Sequence, residues 1–102
     1  MTEPKLTPEE VDYALQEQDI YWDHIGDELQ TNVELHDFAE ALAFVNKVGA
    51  AAEAANHHPD IDIRWNKVHL VLTTHDSGGL TVLDLALAAA IDRMRPRYGT
   101  AG

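Results

Sequence analysis

The apolar residues of this chain recur at steps of three and four, then of two, then of three and four again, and that alternation allows few folds. Thr7-Pro8-Glu9-Glu10 has the form of a helix start, with Thr7 as N-cap, Pro8 at the first helical position and Glu10 closing a capping box. Val11, Ala14 and Leu15 give that helix its apolar stripe, and it is expected to end near Gln18. Ile20 to Ile25 is β-prone, Gly26-Asp27 is a turn signal, and Leu29, Thr31, Val33 and Leu35 alternate with Gln30, Asn32 and Glu34. A hairpin with one buried face is predicted there. Phe38, Leu42, Val45, Val48 and Ala52 then predict a long second helix from about Asp37 to about Asn56. Pro59-Asp60 breaks it, and Ile61, Ile63 and Trp65 alternate with Asp62, Arg64 and Asn66, which predicts a third strand with Trp65 in the core. Val68, Leu70 and Leu72 begin a fourth strand. After the Ser77-Gly78-Gly79 loop, Thr81 to Asp84 has the capping-box pattern of a third helix, ended by Arg93, Arg95 and Pro96. The order α-β-β-α-β-β-α favours an α+β fold: a four-stranded antiparallel sheet with three helices packed on one face, as a single domain over residues 1–102.

Composition narrows the chemistry. The 102 residues hold no cysteine, which excludes disulfides, thiolate metal sites and a cysteine nucleophile. Met1 to Glu10 is polar and lacks the apolar run of a signal peptide, and no segment approaches the length of a membrane helix. A soluble, cytoplasmic protein is expected. The net charge of −11 is unevenly placed: residues 1–40 hold twelve acidic side chains against Lys5, and residues 41–102 hold six of each sign. Such a surface repels phosphate backbones and anionic lipid, so neither nucleic acid nor membrane is an expected partner.

Three of the six histidines fall together in the outline. His57 and His58 follow the second helix, and His75 follows the fourth strand beside a glycine-containing loop, positions where a scaffold presents functional groups. His69 lies six residues before His75, roughly 20 Å along an extended chain, and is left out of the cluster. His24 and His36 stand apart in the acidic half. On spacing alone, the cluster reads equally as ordinary polar residues or as a functional site. A metal site built from His57, His58 and His75 or Asp60 is a weaker reading, because neighbouring histidines point in different directions.

A longer string is more specific. Glu53, His57-His58-Pro59, Trp65, His75 and Asp84, at their spacings, resemble the signature of the pterin-4a-carbinolamine dehydratases. The resemblance runs from about residue 20 to 95, through Asp37-Phe38, Ala43-Phe44-Val45, Asn66-Lys67-Val68, Thr73-Thr74-His75, Gly79-Leu80-Thr81, Leu87-Ala88 and Ile91. It implies elimination of water from a 4a-hydroxytetrahydropterin to give the quinonoid dihydropterin, with the pterin as substrate and no cofactor or metal. That reaction needs a base for the N5 proton and an acid for the departing C4a hydroxyl, and imidazole, with an unperturbed pKa of about 6.5, serves as either. The resemblance makes His57 and His75 the proton-transferring pair and gives His58 a part in orienting the pterin. Glu53 and Asp84 are expected in support, Glu53 by holding the His57 imidazole one helical turn away and Asp84 chiefly as a helix cap. Asn56, His57, His58, Thr73, Thr74, His75 and Asp76 are the implied substrate-binding residues, through amide, hydroxyl and backbone groups.

Two departures concern binding: Asn56 stands where the family often has an acidic residue, and the second strand lacks a basic residue often present there. The resemblance also implies a homodimer or homotetramer, which independently would cover the edges of a small open sheet. Some relatives act as dimerisation cofactors or assembly factors without catalysis, so a non-catalytic interaction protein is the alternative reading.

Overall fold

The capping boxes at Thr7 and Thr81 both form. The Thr7 hydroxyl accepts from the Glu10 amide and Glu10 accepts from the Thr7 amide, and Thr81 and Asp84 repeat the exchange. The computed structural model describes residues 3–96, so the predicted domain range extends past them at both ends. Within it lie α1 (Pro8–Glu17), β1 (Asp23–Ile25), β2 (Glu28–Glu34), α2 (Phe38–Ala55), β3 (Asp60–Arg64), β4 (Lys67–Leu72), a 3-10 turn (His75–Ser77) and α3 (Val82–Asp92). The strands form one antiparallel sheet in the order β1-β2-β4-β3, with three helices against it, as the order of patterns predicts. Among the described residues no helix is long and apolar enough to cross a membrane.

The register puts Leu29 opposite Leu72, Thr31 opposite Leu70 and Val33 opposite Val68, all buried against the helices. Because side chains alternate across a strand, Asn32 and His69 fall on the other side, where the His69 ring pairs with the Asn32 amide oxygen at 2.7 Å. Asp92, near the end of α3, accepts hydrogen bonds from the Tyr21 amide (3.2 Å), the Trp22 indole (2.8 Å) and Arg95 Nε (2.7 Å). This ties α3 to the chain entering β1 and lets Trp22 be buried with its N–H satisfied.

Several expectations change. The buried stripe of α2 is Ala41, Phe44, Val48 and Ala52, whereas Phe38 and Leu42 are exposed, so the buried face is rotated from the expected one. The strand expected over residues 20–25 is confined to Asp23–Ile25, with Ile20 and Trp22 buried ahead of it. β3 is an edge strand and largely exposed.

Trp65 is not in the core. It is 67% exposed at the first position of the two-residue Trp65-Asn66 turn, with φ of 55°. The burial expected of it falls to Asn66, whose side-chain amide donates to the Leu35 carbonyl at 2.8 Å. A positive φ at that position favours glycine, and the left-handed region costs other residues about 1–2 kcal/mol. Trp65→Gly is therefore expected to leave stability unchanged or raise it by up to about 1 kcal/mol, once the glycine's extra unfolded-state entropy offsets part of the relief. Chemical denaturation would measure this. A clear loss of stability would show that indole packing outweighs backbone relief.

Candidate active site

The end of α2 sets the geometry. Asn56 adopts a left-handed conformation (φ 50°, ψ 43°), which asparagine tolerates better than most residues, and the amides of Asn56 and His57 bond back to the carbonyls of Glu53 (3.2 Å) and Ala52 (3.1 Å). The chain thus leaves the helical row before His57. The i, i+4 relation expected between Glu53 and His57 does not survive this turn. Glu53 Oε2 lies 2.5 Å from His58 Nε2 instead, and both side chains are largely exposed. An exposed pair of this kind contributes little to stability.

His57 turns inward. Its Nε2 lies 2.5 Å from Asp84 Oδ1, with the His57 side chain 10% exposed and Asp84 fully buried. The other Asp84 oxygen accepts from the Thr81 amide at 2.9 Å and from the Thr74 hydroxyl at 2.7 Å. Asp84 is thus a helix cap and the partner of His57 at once, not a cap alone. A carboxylate only accepts, so the proton on His57 belongs on Nε2 and its Nδ1 carries the lone pair. One sequence signal pointed this way: a capping-box carboxylate has two oxygens, the cap occupies one, and burial obliges the other to find a donor.

The second wall follows β4. The chain leaves the strand at Leu72, and an isolated bridge between Thr74 and Gly79 closes a loop whose 3-10 turn carries His75 and Asp76 into solvent. Among the described residues the His75 ring has no hydrogen-bond partner. The hydroxyls of Thr73 and Thr74 were expected to face a ligand, yet both are engaged. Thr73 donates to the Asp27 carbonyl at 2.6 Å, and Thr74 reaches Asp84 and Thr81, so these residues have backbone rather than hydroxyl groups to offer.

Asn56, His57, His58, Thr73, Thr74, His75 and Asp76 line one open groove of about 270 Å³. Larger hollows lie beside Tyr21 and Arg95 (about 430 Å³) and across Asn32, Arg64 and His69 on the uncovered sheet face (about 340 Å³). Size does not decide between them. Asp92 and Arg95 are consumed by structural bonds in the first, and Arg64 by Asp62 and His69 by Asn32 in the second, whereas the smaller groove has an oriented imidazole and one without a partner among the described residues. No three His, Asp or Glu side chains among the described residues converge as metal ligands would.

The fold and groove thus define a small α+β protein with a histidine-lined groove assembled from a helix end and a strand-end loop. The family profile described as pterin 4 alpha carbinolamine dehydratase matches residues 4–94, and the chain belongs to this family. It is 49% identical over 90 residues to a protein of Acidobacterium capsulatum, with 88% of this chain and 97% of the relative covered. It is 50% identical over 91 residues to one of Chloroflexus aurantiacus, with 89% and 97% covered. Both relatives are provisionally named pterin-4-alpha-carbinolamine dehydratase. The crystal structure of a transcriptional coactivator/pterin dehydratase from Brucella melitensis superposes with a TM-score of 0.83 at 28% identity, over 90% of this chain and 99% of that one. A pterin dehydratase-like RuBisCO assembly factor of the alpha-carboxysome shares the fold alone, with a TM-score of 0.61 at 24% identity over 72% of this chain and 87% of that one.

Proposed function

We propose that this groove eliminates water from a 4a-hydroxytetrahydropterin. The observation that carries the reading is the buried Asp84 carboxylate beside His57 Nε2, which puts the proton on that nitrogen and leaves Nδ1 to act as a base, on a histidine that lines the same groove as His75, whose ring has no partner among the described residues. His57 Nδ1 takes the proton from pterin N5. The N–H electron pair forms the N5–C4a double bond as the C4a–O bond breaks, and His75 delivers a proton to the departing hydroxyl, which leaves as water. The products are quinonoid dihydropterin and water, and a proton passing between the histidines through solvent restores both. The positive charge that develops on His57 falls next to Asp84, the arrangement that stabilises an imidazolium in Ser-His-Asp enzymes. Proton transfer completes the reaction without a metal or cofactor. His58, Asn56, Asp76 and the backbone of Thr73 and Thr74 orient the flat ring system.

The test is the decay of synthetic 4a-hydroxytetrahydropterin followed by absorbance with and without the protein. Acceleration well above the buffer rate is the expected result, and decay at the buffer rate would refute the enzyme reading.

A role in protein assembly has its own observation. Phe38 and Leu42 form an exposed apolar stripe on α2, and Ile61 is exposed on edge strand β3. We propose that copies of the chain associate there as a homodimer or homotetramer. Light scattering at micromolar concentration should give a mass of at least two chains, and a monomer mass would contradict this.

A further inference from the structure

We infer that Thr74 is a positioning residue that sets the proton-bearing nitrogen of His57 and ties that histidine to the loop carrying His75. The inference rests on the proposed acid/base reading of the groove. Its basis is a directional chain of hydrogen bonds behind the histidines. The Asp84 carboxylate cannot donate, so the Thr74 hydroxyl proton must point to its Oδ2, at 2.7 Å. With its own proton committed, Thr74 Oγ1 is an acceptor for the Thr81 hydroxyl at 2.8 Å. Thr81 Oγ1 in turn accepts from the Leu83 amide at 3.2 Å, in the first turn of α3. Every donor in the row therefore points toward Asp84.

The consequence is local and specific. With Oδ2 occupied by the Thr74 hydroxyl and the Thr81 amide, Oδ1 is the oxygen left for His57, and only the Nε2–H tautomer satisfies it. The same residue roots the other wall. The Thr74 amide donates to the Gly79 carbonyl at 3.0 Å, and the Thr74 carbonyl accepts from Ser77 at 3.0 Å and Gly79 at 3.4 Å, so Thr74 fixes the start of the turn on which His75 stands. Thr74 is buried and adjacent to His75, and it bonds to the carboxylate that holds His57. Removing its hydroxyl leaves Oδ2 with a single donor, frees the carboxylate to swing, and deprives the Thr81 hydroxyl of its acceptor.

The experiment compares Thr74→Val, Thr74→Ala and Thr74→Ser with the wild type by nitrogen-proton correlation spectra of the histidine rings, alongside dehydration kinetics; the alanine variant serves if the valine variant does not fold. Wild type and Thr74→Ser are expected to show His57 as a single Nε2–H tautomer, with rates within about threefold of each other. Thr74→Val and Thr74→Ala are expected to show mixed tautomers and a kcat lower by about tenfold to a hundredfold, with KM within about twofold, by analogy with the removal of hydrogen-bond partners behind metal-bound histidines. Val and Ala variants that keep the wild-type tautomer would overturn the inference while leaving the proposed function intact. A wild type that fails to dehydrate the pterin, yet whose His57 tautomer follows the Thr74 hydroxyl, would do the reverse.

Discussion

Replacing His57 with alanine is expected to slow dehydration of a 4a-hydroxytetrahydropterin by about a hundredfold or more, the typical contribution of a positioned general base. The expectation depends on the fold surviving. Asp84 loses one of its donors in His57→Ala, and an unsatisfied buried acceptor costs about 1–3 kcal/mol. His57→Gln separates the two effects, because its side-chain amide can still donate to Asp84 Oδ1 but cannot accept a proton at neutral pH. Thermal denaturation should therefore place His57→Gln closer to the wild type than His57→Ala, while the kinetic assay finds both equally slow. A fast His57→Gln variant would show that the imidazole is structural and that the chemistry lies elsewhere in the groove.

Asp84→Asn should be as damaging to rate for a different reason. The substituted amide has one oxygen and one NH2 group where the carboxylate had two acceptors. Two donors, the Thr81 amide and the Thr74 hydroxyl, converge on one side, and only His57 lies on the other. The amide oxygen should therefore face the threonines and its NH2 group His57, which forces the imidazole into the opposite tautomer with the lone pair on Nε2 and the proton on Nδ1. The base then points into the protein. A fall of about a hundredfold or more is expected with the fold retained, by the logic through which an Asp-to-Asn change disables Ser-His-Asp enzymes by holding the wrong tautomer. Asp84→Ala should in addition lose stability, by about 1–3 kcal/mol, because the helix cap and the Thr74 partner are lost. Unchanged turnover in Asp84→Asn would mean that the carboxylate caps α3 and does nothing for His57.

Local chemistry made some of this visible in the sequence. The alternation of Leu29, Thr31, Val33 and Leu35 marks the inner face of β2, and the boxes at Thr7 and Thr81 mark the starts of α1 and α3. These features depend on neighbours a few residues apart. Trp65 misled because its place in the alternation with Ile61 and Ile63 suited a strand, whereas a two-residue turn decided its fate and put Asn66 inside. The phase of α2 was ambiguous because alanines weigh little against Phe38 and Leu42 in an apolar stripe, yet Ala41 and Ala52 are buried with Phe44 and Val48. The histidine partners were mispaired for a sharper reason. Glu53 and His57 are neighbours only while the helix continues, and a single left-handed residue, Asn56, rotates His57 toward Asp84, 27 residues away, and leaves His58 with Glu53. The family resemblance named all five of these site residues, but the pairing required the fold.

The decisive measurement is the decay rate of 4a-hydroxytetrahydropterin with the His57→Gln/His75→Ala double variant, shown by circular dichroism to be folded, beside the wild type and buffer. Decay at the buffer rate with the double variant and well above it with the wild type is the predicted result. A folded double variant that dehydrates the pterin as fast as the wild type would contradict the assignment of the chemistry to this groove.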